Sequence, residues 1–337
     1  MGDRTLAVDD LLVAGSTFER LQPRRFLAAR VADPAATRRG ERGRGADDGA
    51  QRERTQAAAF AVAVHGTIVG VLVCTLGDLL LDVIVRLGEP LQWGADTSSE
   101  TRTGAGGQAA NVAAWAVELG AQARFVGKRA ADAAGRLATD ELRARGVDVV
   151  GPEVDGRNGV VVSLVGPDGD RTMATDRGVA PELGADELDD AWFACDWLHL
   201  AGYSLLRSPI DDAACRAVEL ARARGAQVSV DLSSWSAIRA YGAARFRARL
   251  EVIEPDVVFA NEAELDIVGG DAPAETVVLK RGARGILVGG VEHAADPVGA
   301  VDSTGAGDAL AAGYIVGDAE LGLRAAARCV AQLGTMP

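Results

Sequence analysis

The stretch DSTGAGDALAAGYIVG, residues Asp302 to Gly317, joins a glycine-rich turn directly to an apolar segment with helical character. Gly305, Ala306 and Gly307 carry little or no side chain, so the backbone N–H groups at the start of this predicted helix stay accessible. A helix N-terminus combines unpaired donors with a partial positive charge, and together these bind an anion such as phosphate. The stretch therefore predicts a phosphate-binding turn, with the carboxylate of Asp308 inside it.

Asp308 has two interpretations on local chemistry alone. A carboxylate beside a transferring phosphoryl group can take the proton of an attacking hydroxyl, which contributes about 10²–10⁴ in rate. A helix-capping aspartate, with the glycines serving tight packing, is the structural alternative. Both remain open at this point.

A second glycine-rich segment, GAGGQAANVAAWAVELGA, begins at Gly104. Its G-x-G-x-x-A start resembles a dinucleotide-binding fingerprint, but that motif should follow a buried strand, and here the polar TSSETRT precedes it. Alternatively, Gly106 and Gly107 allow close approach of a polyhydroxy ligand, and Asn111, one turn into the helix, hydrogen-bonds to its hydroxyls. A merely structural helix start also stays open. The phosphate-gripping G-x-x-x-x-G-K-[ST] motif is absent from the sequence.

Around these segments, short β-branched runs alternate with Ala- and Leu-rich amphipathic stretches. The predicted strands are Ile68–Thr75, Arg124–Gly127, Trp197–Ala201, Gln227–Asp231, Asp256–Ala260, Thr276–Lys280 and Gly285–Val288. The predicted helices are Ala109–Leu119, Ala133–Arg145, Asp211–Arg224, Ala243–Val252, Gly305–Val316 and Glu320–Leu333. This alternation predicts an α/β fold with a mostly parallel sheet covered by helices on both faces.

Two segments interrupt that alternation. Residues 82–103 and 159–177 read as short alternating strands separated by turn residues, such as PDGD in VVVSLVGPDGDRTMAT. We expect them to form a small β lid attached to the main sheet.

The N-terminal part differs in composition from the rest. Residues 1–56 are rich in Arg, Asp, Gly and Ala and lack sustained apolar periodicity, which predicts a disordered or weakly ordered extension before a domain of residues 57–337. The apolar run from Ala57 to Gly77 is long enough to raise a membrane-helix interpretation. Its glycines and its Val- and Ile-rich second half favour a buried strand instead.

Composition excludes several partner classes. The chain has 35 basic and 48 acidic residues, and the formal charge of -13 repels nucleic acid and anionic membranes. The four cysteines are widely separated and form no disulfide framework, which favours a cytoplasmic location. The three histidines show no metal-ligand spacing. A small-molecule partner is therefore favoured.

Taken together, the two glycine motifs and their order resemble the ribokinase-like (PfkB) carbohydrate kinase family, from about Thr67 to the C-terminus. The resemblance implies a mostly parallel central sheet with helices on both faces and a small β lid. Ser303 replaces the family's usual threonine. The segment between Gly285 and Asp302 is short, which predicts an abbreviated wall on the adenine side.

The resemblance also assigns roles to residues on the acceptor side. Asp308 matches the catalytic base, and the backbone of Gly305, Ala306 and Gly307 matches the anion hole. The positions that match sugar ligands are Asp82, Gly106, Gly107 and Asn111, with Asp78 less certain. Arg177 is an additional candidate for contact with an anionic acceptor group such as a carboxylate.

On the nucleotide side, the matching residues are Asn261, Lys280, Gly282 and Gly285. Asn261 and Glu264 form the family's N-x-x-E motif, which influences Mg²⁺ and phosphate binding, generally through water. Asp302 and Thr304 match the monovalent-cation (K⁺) site of some members.

The implied activity is ATP- and Mg²⁺-dependent transfer of the γ-phosphoryl group to a hydroxyl of a small sugar or sugar acid, as in ribokinases, fructokinases or 2-keto-3-deoxygluconate kinases. A nucleoside or pseudouridine kinase, a catalytically silent sugar- or nucleotide-binding protein, and a nicotinamide-dependent dehydrogenase are the alternatives. The resemblance also implies a homodimer formed through the lid.

Overall fold

The computed structural model describes residues 70–167 and 171–337. The predicted N-terminal extension, the first residues of the first predicted strand, and residues 168–170 of the predicted lid turn lie outside the described residues.

A nine-stranded sheet, with the strand order β15-β14-β13-β12-β11-β10-β1-β4-β6, forms the centre of the fold. Its strands are β1 (Leu72–Leu76), β4 (Gln122–Val126), β6 (Asp148–Val150), β10 (Trp197–Ala201), β11 (Gln227–Asp231), β12 (Val257–Asn261), β13 (Thr276–Lys280), β14 (Ile286–Val288) and β15 (Val291–His293). The seven strands β6, β4, β1, β10, β11, β12 and β13 run parallel to one another, and β14 and β15 add an antiparallel edge. The predicted mostly parallel α/β sheet is therefore confirmed.

Helices cover both faces of this sheet. In the described residues they are α1 (Gln108–Glu118), α2 (Ala133–Ala144), α3 (Ile210–Arg222), α4 (Trp235–Tyr241), α5 (Ala243–Ile253), α6 (Glu262–Ile267), α7 (Ala306–Val316) and α8 (Ala319–Val330). Val73 of β1 packs into a core with α1, α7 and α8, whereas the next residue, Cys74, packs into a second core with α3 and α5. Successive strand side chains point to opposite faces, so β1 is buried on both faces and serves both cores.

A four-stranded sheet in the order β3-β2-β8-β9 stands beside the central sheet as the lid. Its strands are β2 (Leu80–Leu87), β3 (Ser99–Gly106), β8 (Asn158–Val165) and β9 (Arg171–Gly178), and a short pair, β5 (Arg129–Ala130) and β7 (Glu153–Val154), lies apart from it. β2 runs parallel to β8, and the outer pairs are antiparallel. These strands occupy the two predicted lid segments and extend one to three residues beyond their ends.

No helix in the described ranges is long and apolar enough to cross a membrane. Residues 72–76 of the apolar run considered above form β1, with parallel partners on both sides. The strand interpretation holds for that part, and the run before Gly70 lies outside the described residues.

Candidate active site

The phosphate-binding turn predicted from DSTGAGD lies at the start of α7. Gly305 precedes the helix with φ 76°, in the left-handed region, and a Cβ atom there would come within 2.9 Å of the Thr335 backbone. The carboxylate of Asp302 shapes the turn because its Oδ1 accepts hydrogen bonds from the Thr304 backbone N–H (2.9 Å) and hydroxyl (2.5 Å). The first N–H groups of α7 have no intrahelical acceptor and are available to an anion.

This turn separates two cavities. Thr304, Gly305 and Asp308 line the first, which has a volume of about 710 Å³. Ala306 and Gly307 line the second, of about 580 Å³. A group bound at the turn would therefore be reached from both sides.

Asp308 is an unusually basic carboxylate. Burial raises its pKa to about 7, and the negative charge of Asp231 acts in the same direction. Hydrogen bonding from Asn111 and the charge of Lys280 oppose the rise without cancelling it. The Asn111 Nδ2 donates to Asp308 Oδ2 over 2.7 Å. A carboxylate with a pKa near neutrality suits general-base chemistry.

In the first cavity, Asp82 projects from lid strand β2. Burial raises its pKa to about 7, with a further contribution from the charge of Glu141. A Cβ atom at Gly106 would lie 2.2 Å from the Asp82 carboxylate, and one at Gly107, where φ is 101°, would lie 2.3 Å from the Asp78 carbonyl oxygen. Gly107 lines the cavity, whereas Gly106 makes room for Asp82.

Arg177, at the end of lid strand β9, reaches the same cavity but is already paired. Its Nε and Nη2 donate to the buried carboxylate of Asp78 over 2.5 and 2.9 Å, and its guanidinium lies 5.9 Å from the Tyr203 ring centroid. Asp78 is thus the negatively charged partner of Arg177. The sequence-based prediction expected that partner to be an anionic group of the acceptor.

The remaining wall of the first cavity is largely apolar and aromatic. Its contributors include Leu80, Val161, Met173, Ala201, Tyr203, Leu206, Ala237, Ala240 and Tyr241. Of the described residues that line this cavity, the charged ones are Asp78, Asp82, Asp308 and Arg177. The cavity therefore has one strongly polar end and carries an excess of negative charge.

Close to the turn, Lys280 at the end of β13 forms a partly buried ion pair with Asp231 at the end of β11. The Lys280 Nζ lies 2.7 Å from Asp231 Oδ2 and 3.7 Å from Glu264 Oε2. Burial alone would lower the pKa of Lys280, but the charges of Asp231 and Glu264 outweigh it and raise the pKa. The charged ammonium of Lys280 therefore lies close to Gly307, and a Cβ atom placed at Gly307 would be in contact with it.

Asn261 and Glu264 form a capping box at the start of α6. The Asn261 backbone N–H donates to Glu264 Oε2 (2.8 Å), and the Glu264 N–H donates to Asn261 Oδ1 (2.9 Å). Within the described ranges, no group of three or more His, Cys, Asp or Glu side chains is placed to hold a metal ion. These residues fit a role toward Mg²⁺ through water, with most ligands coming from the nucleotide phosphates, which is how Mg²⁺ commonly binds.

The second cavity has a largely apolar wall. It is formed by Lys280, Gly282 and Gly285, by the loop around Pro297, and by Leu323, Ala326, Ala327 and Val330 of α8. The abbreviated adenine-side wall stays a prediction, and α8 supplies apolar surface to this cavity.

Asp302 also contacts the lid. Arg171 of β9 places its Nη1 3.1 Å from Asp302 Oδ1, and the Gly334 N–H donates to Oδ2 over 3.3 Å. Burial by itself would raise the pKa of Asp302, but the Thr304 and Gly334 hydrogen bonds and the Arg171 charge hold it below its usual value. The carboxylate that was predicted to bind K⁺ therefore has a protein cation beside it.

The model of the pfkB family carbohydrate kinases matches residues 72–336, which include the turn and every residue that lines the two cavities. The chain belongs to the pfkB family of carbohydrate kinases. The kinase is 33% identical to the ATP-dependent ribose-1-phosphate kinase of Halopiger xanaduensis, over 77% of this chain and 90% of that protein. It is 31% identical to fructokinase-1 of Zea mays, over 71% and 80%. Its fold matches adenosine kinase from Sinorhizobium meliloti with a TM-score of 0.71 at 26% identity, covering 79% of this chain and 96% of that one.

The kinase brings together residues that sequence patterns did not single out. Asp231 ends β11, and the carboxyl ends of parallel strands are where ligands bind in such sheets, so its position was a usable signal. Gln108 and Tyr203 also line the first cavity. Thr335 lies in a segment after α8 that has no motif, and only its tertiary contacts, among them its packing against Gly305, place it at the site.

Proposed function

We propose that this kinase transfers the γ-phosphoryl group of ATP to a hydroxyl of an uncharged sugar-like acceptor. The proposal rests chiefly on one observation: the Gly305–Asp308 turn separates a cavity with a polar, carboxylate-bearing end from a second, apolar cavity. Acceptor in the first cavity and nucleotide in the second would meet at this turn. Mg²⁺, carried on the nucleotide phosphates, would neutralise their charge during transfer.

In this mechanism Asp308 takes the proton of the acceptor hydroxyl. The acceptor oxygen forms a bond to the γ-phosphorus as the bond to the β–γ bridging oxygen breaks, and ADP leaves. The N–H groups of Gly307 and Asp308 and the Lys280 ammonium stabilise the charge of the transferring group. Asp82 and Asn111 orient the acceptor, and the lid limits access of water to the cavity.

The charge of the acceptor cavity supports an uncharged substrate. Three carboxylates face it, and its guanidinium is neutralised by Asp78. An acceptor carrying a phosphate or carboxylate group would have to compete with Asp78 for Arg177 and would meet like charges at Asp82 and Asp308. Free sugars are therefore favoured over sugar phosphates and sugar acids.

A nucleoside is the second candidate acceptor. Tyr203, Tyr241 and Leu206 provide an apolar and aromatic surface that a bare monosaccharide does not need. A nucleoside would place its ribose at the polar end, beside Asp82 and Asn111, and its base against this surface.

The test is ATP consumption with purified protein and a panel of ribose, fructose, adenosine, pseudouridine, ribose 1-phosphate and 2-keto-3-deoxygluconate. We expect an uncharged member to give the highest kcat/KM. Preference for a nucleoside over both free sugars would select the second candidate. A preference of more than about ten-fold for a charged member would refute the uncharged acceptor.

Asp308→Asn separates the proposed base from a structural acid. We expect kcat to fall by about 10³-fold or more, with the Kd for ATP changed by less than about three-fold. Asp140→Asn, on the exposed face of α2, is the control and should behave as wild type. Turnover of Asp308→Asn within a few-fold of wild type would show that the base is another group.

A further inference from the structure

The segment after α8 returns to the acceptor cavity and presents Thr335 to it. Thr335 is buried and is among the residues that line the cavity, next to Gly305 and Asp308. The Trp115 Nε1 donates to the Thr335 carbonyl oxygen over 2.9 Å. This segment is therefore packed against the phosphate-binding turn on one side and against α1 on the other.

The Thr335 hydroxyl makes a contact separate from those of its backbone. Its Oγ1 donates to Asn111 Oδ1 over 3.0 Å, and the other end of the same amide, Nδ2, donates to Asp308 Oδ2 over 2.7 Å. The two bonds form a relay from Thr335 through Asn111 to Asp308. When Asp308 is ionised, only one orientation of the amide satisfies both partners, because the flipped amide would place Oδ1 against the carboxylate.

We propose that Thr335 is a positioning residue for the phosphoryl transfer: its hydroxyl fixes the Asn111 amide in the orientation that donates to the proposed base, Asp308. The proposal rests on the proposed function, since it assumes that Asp308 acts as a base. It makes Asn111 a partner of the base as well as an acceptor ligand.

Loss of the hydroxyl has a defined consequence. The buried Oδ1 of Asn111 would lose its donor, so an amide rotated away from Asp308 would become more favourable. The ionised carboxylate of Asp308 would then accept one hydrogen bond fewer, so its pKa would rise from about 7. The other charged or titratable groups that act on Asp308 are Asp231, Lys280, Tyr203 and Cys329. Among the described residues the Thr335 hydroxyl bonds to none of their side chains; the Cys329 Sγ donates to the Thr335 carbonyl oxygen over 3.8 Å, a bond that does not involve the hydroxyl.

The segment does not depend on the hydroxyl for its position. Its backbone is held by the Trp115 Nε1, by the Gln332 Nε2, which donates to the Met336 carbonyl oxygen over 2.7 Å, and by a hydrogen bond from Arg145 to the Pro337 carbonyl oxygen. Thr335→Val keeps the shape and these bonds, so it removes the relay alone.

The experiment compares Thr335→Val, Thr335→Ser and the control Thr139→Val with wild type. Thr139 is also buried, but within the described residues its hydroxyl has no hydrogen-bond partner. The first readout is the kcat–pH profile. We expect Thr335→Val to lower kcat near pH 7 by about five-fold and to move the acidic limb upward by about one pH unit, with the KM for ATP within about two-fold. Thr335→Ser and Thr139→Val should match wild type.

A second readout does not require turnover. The ¹³C resonance of the Asp308 carboxyl, assigned with Asp308→Asn, is followed over pH in wild type and in the variants. A higher midpoint in Thr335→Val alone supports the proposal, whereas coincident titration curves for wild type and Thr335→Val overturn it. Failure of wild type to phosphorylate any acceptor would refute the proposed function instead, and this titration would still decide whether Thr335 controls Asp308.

Discussion

At the scale of single residues, the site concentrates carboxylates that the fold partly removes from water. Asp82 and Asp308 both have a pKa raised to about 7, chiefly by burial. Burial of these carboxyl groups lowers the stability of the fold, and the same burial keeps both groups basic at neutral pH.

Asp308 should therefore lower stability above neutral pH. Its folded-state pKa exceeds the unfolded value of 3.8, so it favours the folded state at low pH, and this contribution disappears as pH rises through about 7. Asp308→Asn removes this titration and keeps an acceptor for the Asn111 amide. We expect the variant to melt about 2–5 °C above wild type near pH 8, with a smaller difference near pH 5.

Thermal unfolding followed by circular dichroism at both pH values measures this difference. Asp140→Asn again serves as the control, because its carboxylate is exposed. If the variant were less stable than wild type at both pH values, the hydrogen bonds of Asp308 would stabilise the fold by more than its burial destabilises it.

At the scale of elements, lid strand β9 contacts the phosphate-binding turn through the ion pair of Arg171 and Asp302. The same carboxylate accepts hydrogen bonds from Thr304 and Gly334, so it joins the lid, the turn and the segment after α8. The K⁺ site predicted at Asp302 and Thr304 stays a prediction, and the position of Arg171 argues against it.

Replacing Arg171 tests this contact. In Arg171→Met the Asp302 carboxylate loses its cation, and we expect kcat/KM to fall by about two- to five-fold. Part of the loss should be recovered when KCl replaces tetramethylammonium chloride at equal ionic strength, since K⁺ can then approach the carboxylate. Wild type should differ little between the two salts.

Arg102→Met, on the exposed part of neighbouring strand β3, is the matched control and should leave activity unchanged. Strict K⁺ dependence of wild-type turnover would contradict this prediction, because it would place the cation at Asp302 despite Arg171.

At the scale of the whole molecule, the lid sheet has two outer strands, β3 and β9, whose residues are largely exposed. The β2–β3 loop adds Trp93, which is 94% exposed. Unpaired strand edges and exposed aromatic side chains are surfaces that assembly covers. These features favour the homodimer that remains a prediction from the family resemblance.

Sedimentation velocity should give twice the chain mass. We expect Trp93→Ser to weaken the dimer by about ten-fold or more in Kd, because an exposed indole at an interface is a frequent hot spot. Val252→Ser, which removes an exposed apolar side chain from α5 outside the lid, is the control. A monomer at all concentrations would contradict assembly through the lid.

The sequence by itself determined most of the elements, and it predicted the turn on which the proposed chemistry depends. Strands β10, β11 and β13 have the predicted bounds, and the main helices differ by at most three residues at either end, because apolar periodicity and β-branched runs act locally. The short α4 and α6 were missed because they lack a full amphipathic repeat. The DSTGAGD turn was recognised for a similar reason: glycine, helix start and acid are neighbours in the chain.

Only the tertiary structure decided which distant groups meet at Asp308. Asp231 reaches Lys280 because β11, β12 and β13 are adjacent, and Thr335 reaches Asn111 because α1 and α7 pack on the same face of the sheet. The pairing of Arg177 with Asp78 likewise depends on where the lid meets the end of β1. Such contacts join residues about 50 to 220 positions apart, and strand order and helix packing, which determine them, leave no mark in the local sequence pattern.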